Sequence, residues 1–173
     1  MGTQRLRLDA RRPRSPQYLR CSPVLPDAVD LLDERSREAY IGVLIHVAAA
    51  DGDLVREESA AIEAAMGRAM IRPKQREQLR PQLMEQVKLN KLLEQLSEDA
   101  CRVVLRDSMI IAAVDGDYHE SELKAIRQIA KASGISKKEL KSLFAWVDDG
   151  WRWMARGRGI LGVNLAGDES LLD

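Results

Sequence analysis

The sequence predicts an all-α fold, a compact bundle of about seven or eight helices built from two pseudo-two-fold related repeats. Three observations carry that expectation. Strand formers are scarce: the 173 residues include one threonine and 4% aromatics, while leucine and alanine, both suited to helices, are abundant. Apolar residues recur at the 3.6-residue period of an amphipathic helix rather than alternating. Finally, Ala48-Ala49-Ala50-Asp51-Gly52-Asp53 returns further along the chain as Ala112-Ala113-Val114-Asp115-Gly116-Asp117, an offset of 64 in the numbering. A gapless shift by that offset makes 10 of the 28 positions from Val47 to Lys74 identical, including Glu58 with Glu122, Ile71 with Ile135 and Lys74 with Lys138. Self-similarity of this kind is one supersecondary unit built twice.

The elements follow in order. Residues 1–26 carry Arg5, Arg7, Arg11, Arg12, Arg14 and Arg20 among four prolines, and bury too little apolar surface to offset ordering entropy, so a basic disordered arm is expected. A first helix is expected from Glu34 to Ala50, with Tyr40, Val43, Leu44 and Val47 in phase and Gly52 beyond its end. A second spans Arg56 to Met70. Pro73 opens a third, which Pro81 breaks, and a short segment covers Asn90 to Leu96. Ser97 caps a strong helix to Val114, with Glu98 and Asp99 in its first turn. Another runs from Glu120 to Ala132, and Ser136-Lys137-Lys138-Glu139 is a capping box for the last. The repeats thus occupy about 34–96 and 97–156 of a helical domain covering 27–156. Glycines 157, 159, 162 and 167 suggest a flexible tail over 157–173.

Net charge is zero, so the whole chain gains no general attraction to nucleic acid or anionic lipid. Residues 1–20 nevertheless hold six arginines against one acid. No aromatic stacking pattern accompanies them, and no specific nucleic-acid partner is expected. No apolar run approaches the roughly 20 residues of a membrane span, and no secretory signal is visible. With only Cys21 and Cys101, far apart in sequence, a disulfide framework is excluded and a cytoplasmic setting is expected.

The duplicated loops read two ways. Asp51, Asp53 and Glu58 stand at i, i+2 and i+7, and Asp115, Asp117 and Glu122 repeat the spacing. As a site, these six carboxylates with loop carbonyls suit a hard divalent cation, Ca2+ or Mg2+. An even number of helices between the loops would return them to one end of the bundle as a single acidic patch. They are not EF-hands, because the sixth and twelfth positions are Arg56 and Ile62 in one copy and Glu120 and Ile126 in the other. As structure alone, glycine stops one helix and Glu58 or Glu122 supports the start of the next. Imidazole and thiol ligands are nearly absent, which disfavours zinc.

With two helix–Asp-Gly–helix units, the chain resembles the TerB-like family of tellurite-resistance-associated proteins, whose fold also occurs at the N-terminus of a membrane-anchored DnaJ-type co-chaperone. The resembling part runs from about Glu34 to Asp148. Its signature, Ala-x-Asp-Gly-x-apolar-x-x-x-Glu, is met by Ala49 through Glu58 and again by Ala113 through Glu122. The resemblance implies a compact helical repeat, an acidic surface suited to divalent cations, no catalytic activity, and a setting in stress-response systems at or near the membrane. The serine-proline common before the second helix is replaced by Val55-Arg56 and His119-Glu120.

No enzyme is expected. His46 lies within an apolar helix face, His119 flanks the second loop, and no nucleophile–base–acid set can be assembled. Reducing an oxyanion would require a thiol pair or a redox cofactor site, and neither is visible. A last feature is the tryptophan-rich end. Phe144, Val147, Trp151 and Met154 form a stripe suited to docking on the bundle. Trp146 and Trp153 lie on another face with Arg152, Arg156 and Arg158, a composition enriched in protein interfaces and compatible with a membrane surface. The alternative is that these tryptophans also fold back on the core.

Overall fold

The computed structural model describes residues 28–50, 52, 55–83, 88–114 and 118–172. The arginine arm and Asp51, Asp53, Asp115 and Asp117 lie outside them. Among the described residues are eight α-helices and no strand: α1 (Glu34–Ala48), α2 (Arg56–Arg68), α3 (Pro73–Leu79), α4 (Leu89–Leu93), α5 (Glu98–Ala112), α6 (Glu120–Ala132), α7 (Lys137–Leu161) and α8 (Asp168–Leu172). Two 3-10 turns, Ala28–Leu31 and Arg80–Leu83, precede α1 and follow α3.

The repeat is kept element by element. α5 begins and ends at the same offset from α1 as α6 does from α2, the offset of the duplicated hexamers, and α7 begins at that offset from α3. The caps repeat as well. Asp33 accepts the Ser36 N–H at 2.7 Å before α1, and Ser97 accepts that of Ala100 at 3.2 Å before α5. Each satisfies an N–H that the helix cannot pair internally. α2 and α6 end in the same left-handed turn, at Met70 (φ 53) and Gly134 (φ 69). The turn is closed by Ile71 N–H to Met66 O and Ile135 N–H to Ala130 O, both 3.0 Å. This explains the repeated isoleucine. It follows the left-handed residue, donates the closing bond and packs on the core.

The halves part company at one residue. Pro81 stands where α7 has Ala145, and proline lacks the N–H that an α-helix interior needs. α3 therefore stops after 7 residues, whereas α7 runs for 25. It passes Arg156, where glycine composition suggests an end, and continues through Gly157 and Gly159 to Leu161. Gly162 closes it in the left-handed region (φ 67). Beyond it, the buried Asp168 opens α8, accepts the Leu165 N–H at 2.9 Å and takes both sides of the Arg158 guanidinium. That pairing holds the Asp168 carboxyl down at about 2 and ties α8 to α7.

α1 and α5 form the central pair, with α2, α4 and α6 packed on α1 and α6 and α7 on α5. Tyr40, Ile41, Val43, Leu44 and Val47 of α1 and Val104, Leu105 and Met109 of α5 are fully buried. A buried polar contact joins the pair: Tyr40 donates its hydroxyl to Asp107 Oδ2 at 2.6 Å, and Asp107 also pairs with Arg106 at 2.7 Å. Burial first, then the Asp107 charge, drives the Tyr40 phenol far above its ordinary range. Cys101 is buried on α5, and burial pushes its thiol up.

Candidate functional site

Sequence singles out two places: the acidic loops and the end of α7. At the loops, the described residues are the helix ends that flank them. Glu58 and Glu122 are buried, at 6% and 4% exposure. Each turns back to accept the N–H three residues earlier, Val55 N at 3.0 Å and His119 N at 2.7 Å. This is the N3 glutamate arrangement that satisfies an orphan donor at a helix start. In each carboxylate one oxygen thus faces the helix entry. Gly52 adopts φ 96, a conformation open to glycine and strained for other residues.

His119 occupies the N-cap of α6, its Nδ1 within 2.6 Å of Ser121 Oγ. Beside it, Tyr118 packs edge-on against Phe144 of α7, ring centroids 5.0 Å apart, and donates to Met109 O at 3.3 Å. Burial, then Asp148 and Glu122, pushes the Tyr118 phenol up to about 12. Tyr118 therefore anchors the exit of the second loop to α5 and α7. His46 is half-buried on α1. Among the described residues no three His, Cys, Asp or Glu side chains converge as a metal site. The four loop aspartates are not part of that set.

The end of α7 is described in full and divides into two faces. Val147 and Ala155 are buried, and Phe144 and Trp151 are half-buried against the bundle. Met154, expected in that docked stripe, instead lies 47% exposed. It stands on the edge of the opposite face, where Trp146 is 51% exposed, Trp153 67% and Ile160 86%. Leu161 at the end of the helix, and Val163 and Leu165 beyond it, are exposed as well. Arg152 and Arg156 are exposed beside the tryptophans, Arg152 in a 3.4 Å pair with Asp149. Arg158 points the other way, to Asp168. Ile160 is legible as the third member of the seven-residue series begun by Trp146 and Trp153. The glycine content around it draws attention away.

The chain is 27% identical over 142 residues to the co-chaperone protein DjlA of Vibrio vulnificus strain YJ016, and 26% identical over 142 residues to that of strain CMCP6. Each match takes in 76% of this chain and 49% of the relative, so the chain spans about half the length of the curated relatives it matches. No family model matches it. No solved structure matches it. The similarity to a co-chaperone agrees with the co-chaperone side of the resemblance read from the two Asp-Gly units. No helix among the described residues is long and apolar enough to cross a membrane.

Proposed function

We propose that this chain is a non-catalytic, TerB-like helical module of the co-chaperone type, and that it works by binding another protein through the outward face of α7. The observation that carries this reading is the exposed row Trp146, Trp153 and Ile160. Large apolar side chains gathered on a surface mark interaction sites, and tryptophan and arginine are the residues most enriched where binding energy concentrates. The rest of α7 supports the row rigidly: Val147 and Ala155 are buried on the opposite side, and Asp168 clamps Arg158 beyond it. Similarity to proteins named as co-chaperones, whose work is carried out with other proteins, fits the same reading. A tellurite-type stress setting comes to the chain only through the resemblance.

The test is photo-cross-linking in the host cell from a photoreactive residue placed at Met154, next to Trp153 on α7. Adducts of discrete mass with protein are expected. Irradiation yielding no protein adduct would contradict the reading.

A second reading concerns the loops. The helix ends that flank 49–55 and 113–119 keep the register of the repeat, and Glu58 and Glu122 repeat the same backbone bond. On this reading Asp51, Asp53, Asp115 and Asp117 hold Ca2+ or Mg2+ with the glutamates orienting the loop. Saturation at about 100 times the dissociation constant adds roughly 2.7 kcal/mol of stability. Thermal unfolding with EDTA and then with either ion, in the parent and in Asp51→Asn/Asp115→Asn, checks it. A rise lost in the variant supports an ion site, and no rise leaves helix capping alone.

A further inference from the structure

We infer that the outward face of α7 is a self-complementary docking surface whose occupant is a second copy of this chain, bound antiparallel about a two-fold axis. This rests on the reading of that face as an interaction surface and names its partner. At 100° per residue, Trp146, Gly150, Trp153, Gly157 and Ile160 fall within about 80° of arc on one side of the helix. Bulky and absent side chains therefore alternate along a single exposed line. A Cβ placed at Gly150 or Gly157 would meet nothing within 4 Å, and neither has a positive φ. Glycine weakens a helix interior relative to alanine, and neither packing nor backbone shape within the chain calls for it here.

The spacing supplies the register. Put a two-fold axis across α7 at the level midway between Trp151 and Arg152, and run the second copy antiparallel. Trp146 then lies over the second copy's Gly157 while Trp153 lies over its Gly150, and both matches occur twice by symmetry. One axis satisfies both matches, which an arbitrary placement of two tryptophans and two glycines does not provide.

Charge complementarity points to the same partner. Asp149 and Arg156 are seven residues apart and border the tryptophan line on the same side. In an antiparallel two-fold pair, like borders face each other, so each Asp149 approaches the second copy's Arg156, about 3 Å along the axis from direct opposition. An arginine side chain spans that offset. Among the described residues of one chain Asp149 pairs with Arg152 at 3.4 Å, an exposed contact of the kind that contributes little. The acids Asp148 and Asp149 on the same stretch are also poorly suited to an anionic lipid surface, where lipid-binding helices carry cationic borders. Closed two-fold dimers are the commonest assembly of identical chains.

The test is sedimentation equilibrium of the full chain across the micromolar range, with charge exchange. The parent is expected to dimerise. Asp149→Arg and Arg156→Asp should each weaken the dimer at least tenfold, and the double exchange should recover most of that loss. Gly150→Leu/Gly157→Leu should abolish the dimer by filling the notches while leaving the monomer folded by circular dichroism. A parent that stays monomeric, or a dimer indifferent to these changes, overturns the proposal, and so does a monomer that instead sediments with phosphatidylglycerol vesicles. If cross-linking from position 154 yields adducts with a different protein and none with a second copy, only the self-docking inference fails. If it yields no protein adduct, the interaction reading fails with it.

Discussion

The hydroxyl of Tyr40 on α1 donates to Asp107 of α5, distant in sequence, at 2.6 Å and out of water. The shift that superposes the repeats carries Tyr40 onto Val104 and takes Asp107 back onto Val43, and both valines are fully buried. One half of the repeat thus joins the central helices through a polar contact where the other half presents two valines. The duplicated frame tolerates either solution, because a buried polar pair is acceptable when each group is satisfied.

This contact should be worth more to the protein broken than made. Tyr40→Phe removes one net hydrogen bond and is expected to cost about 1 kcal/mol. Asp107→Ala strands the buried phenol and should cost more, about 3 kcal/mol. Urea unfolding of the two variants checks the order.

The same contact fixes a pH dependence. Tyr40 has its folded pKa raised well above the unfolded value of 10.0, so its stabilisation is complete below pH 10 and is lost as pH rises beyond it. Tyr118, at about 12, adds to the loss over the first two units. Each slope starts at about half of 1.4 kcal/mol per pH unit at pH 10 and steepens to about 1 kcal/mol per pH unit at pH 11, and that of Tyr118 fades again toward pH 12. Tyr40→Phe should flatten the decline by one such slope. Unfolding free energies at pH 8, 10 and 11 measure it.

Met70 and Gly134 occupy equivalent left-handed turns, but only glycine enters that region without steric cost. Met70 is 59% exposed, so its side chain has little packing to lose. Met70→Gly is expected to stabilise the chain by about 1 kcal/mol, and Gly134→Ala to destabilise it by about the same. Thermal unfolding of both gives the two signs.

Glu58 and Glu122 bear on what the loops are for. If their work is to satisfy the N–H groups of Val55 and His119, Glu58→Ala and Glu122→Ala each cost about 1 kcal/mol, and the cost is the same with EDTA as with Ca2+. A cost that appears only with the ion present would assign them to a ligand set instead.

Local chemistry makes much of this fold legible. Ser97 and Ser136 cap the helices whose starts they mark in the sequence, and Pro73 and Pro81 bound α3. Glu58 and Glu122 stand at N3, where a glutamate reaches back to the helix entry. What escapes is set by tertiary context. Nothing near Tyr40 announces the distant carboxylate of Asp107, and the role of Ile71 and Ile135 as turn-closing residues depends on a left-handed neighbour that composition does not reveal. Glycines 157 and 159 suggest that α7 ends near Arg156. Their neighbours sustain the helix to Leu161, and the Arg158–Asp168 pair ties α8 back to it. Met154 fits the 3.6 period of the docked stripe yet lies at its edge, outside the width of the face that the bundle covers.

The most direct measurement of the central claim compares cross-linking yield from position 154 in the parent and in Trp146→Ala/Trp153→Ala. Both tryptophans are more than half exposed, so the variant should stay folded with stability changed by only about 0.5 kcal/mol. The account expects the protein adducts to fall at least tenfold. An undiminished yield from the folded variant would contradict it and remove the outward face of α7 as the working surface of this chain.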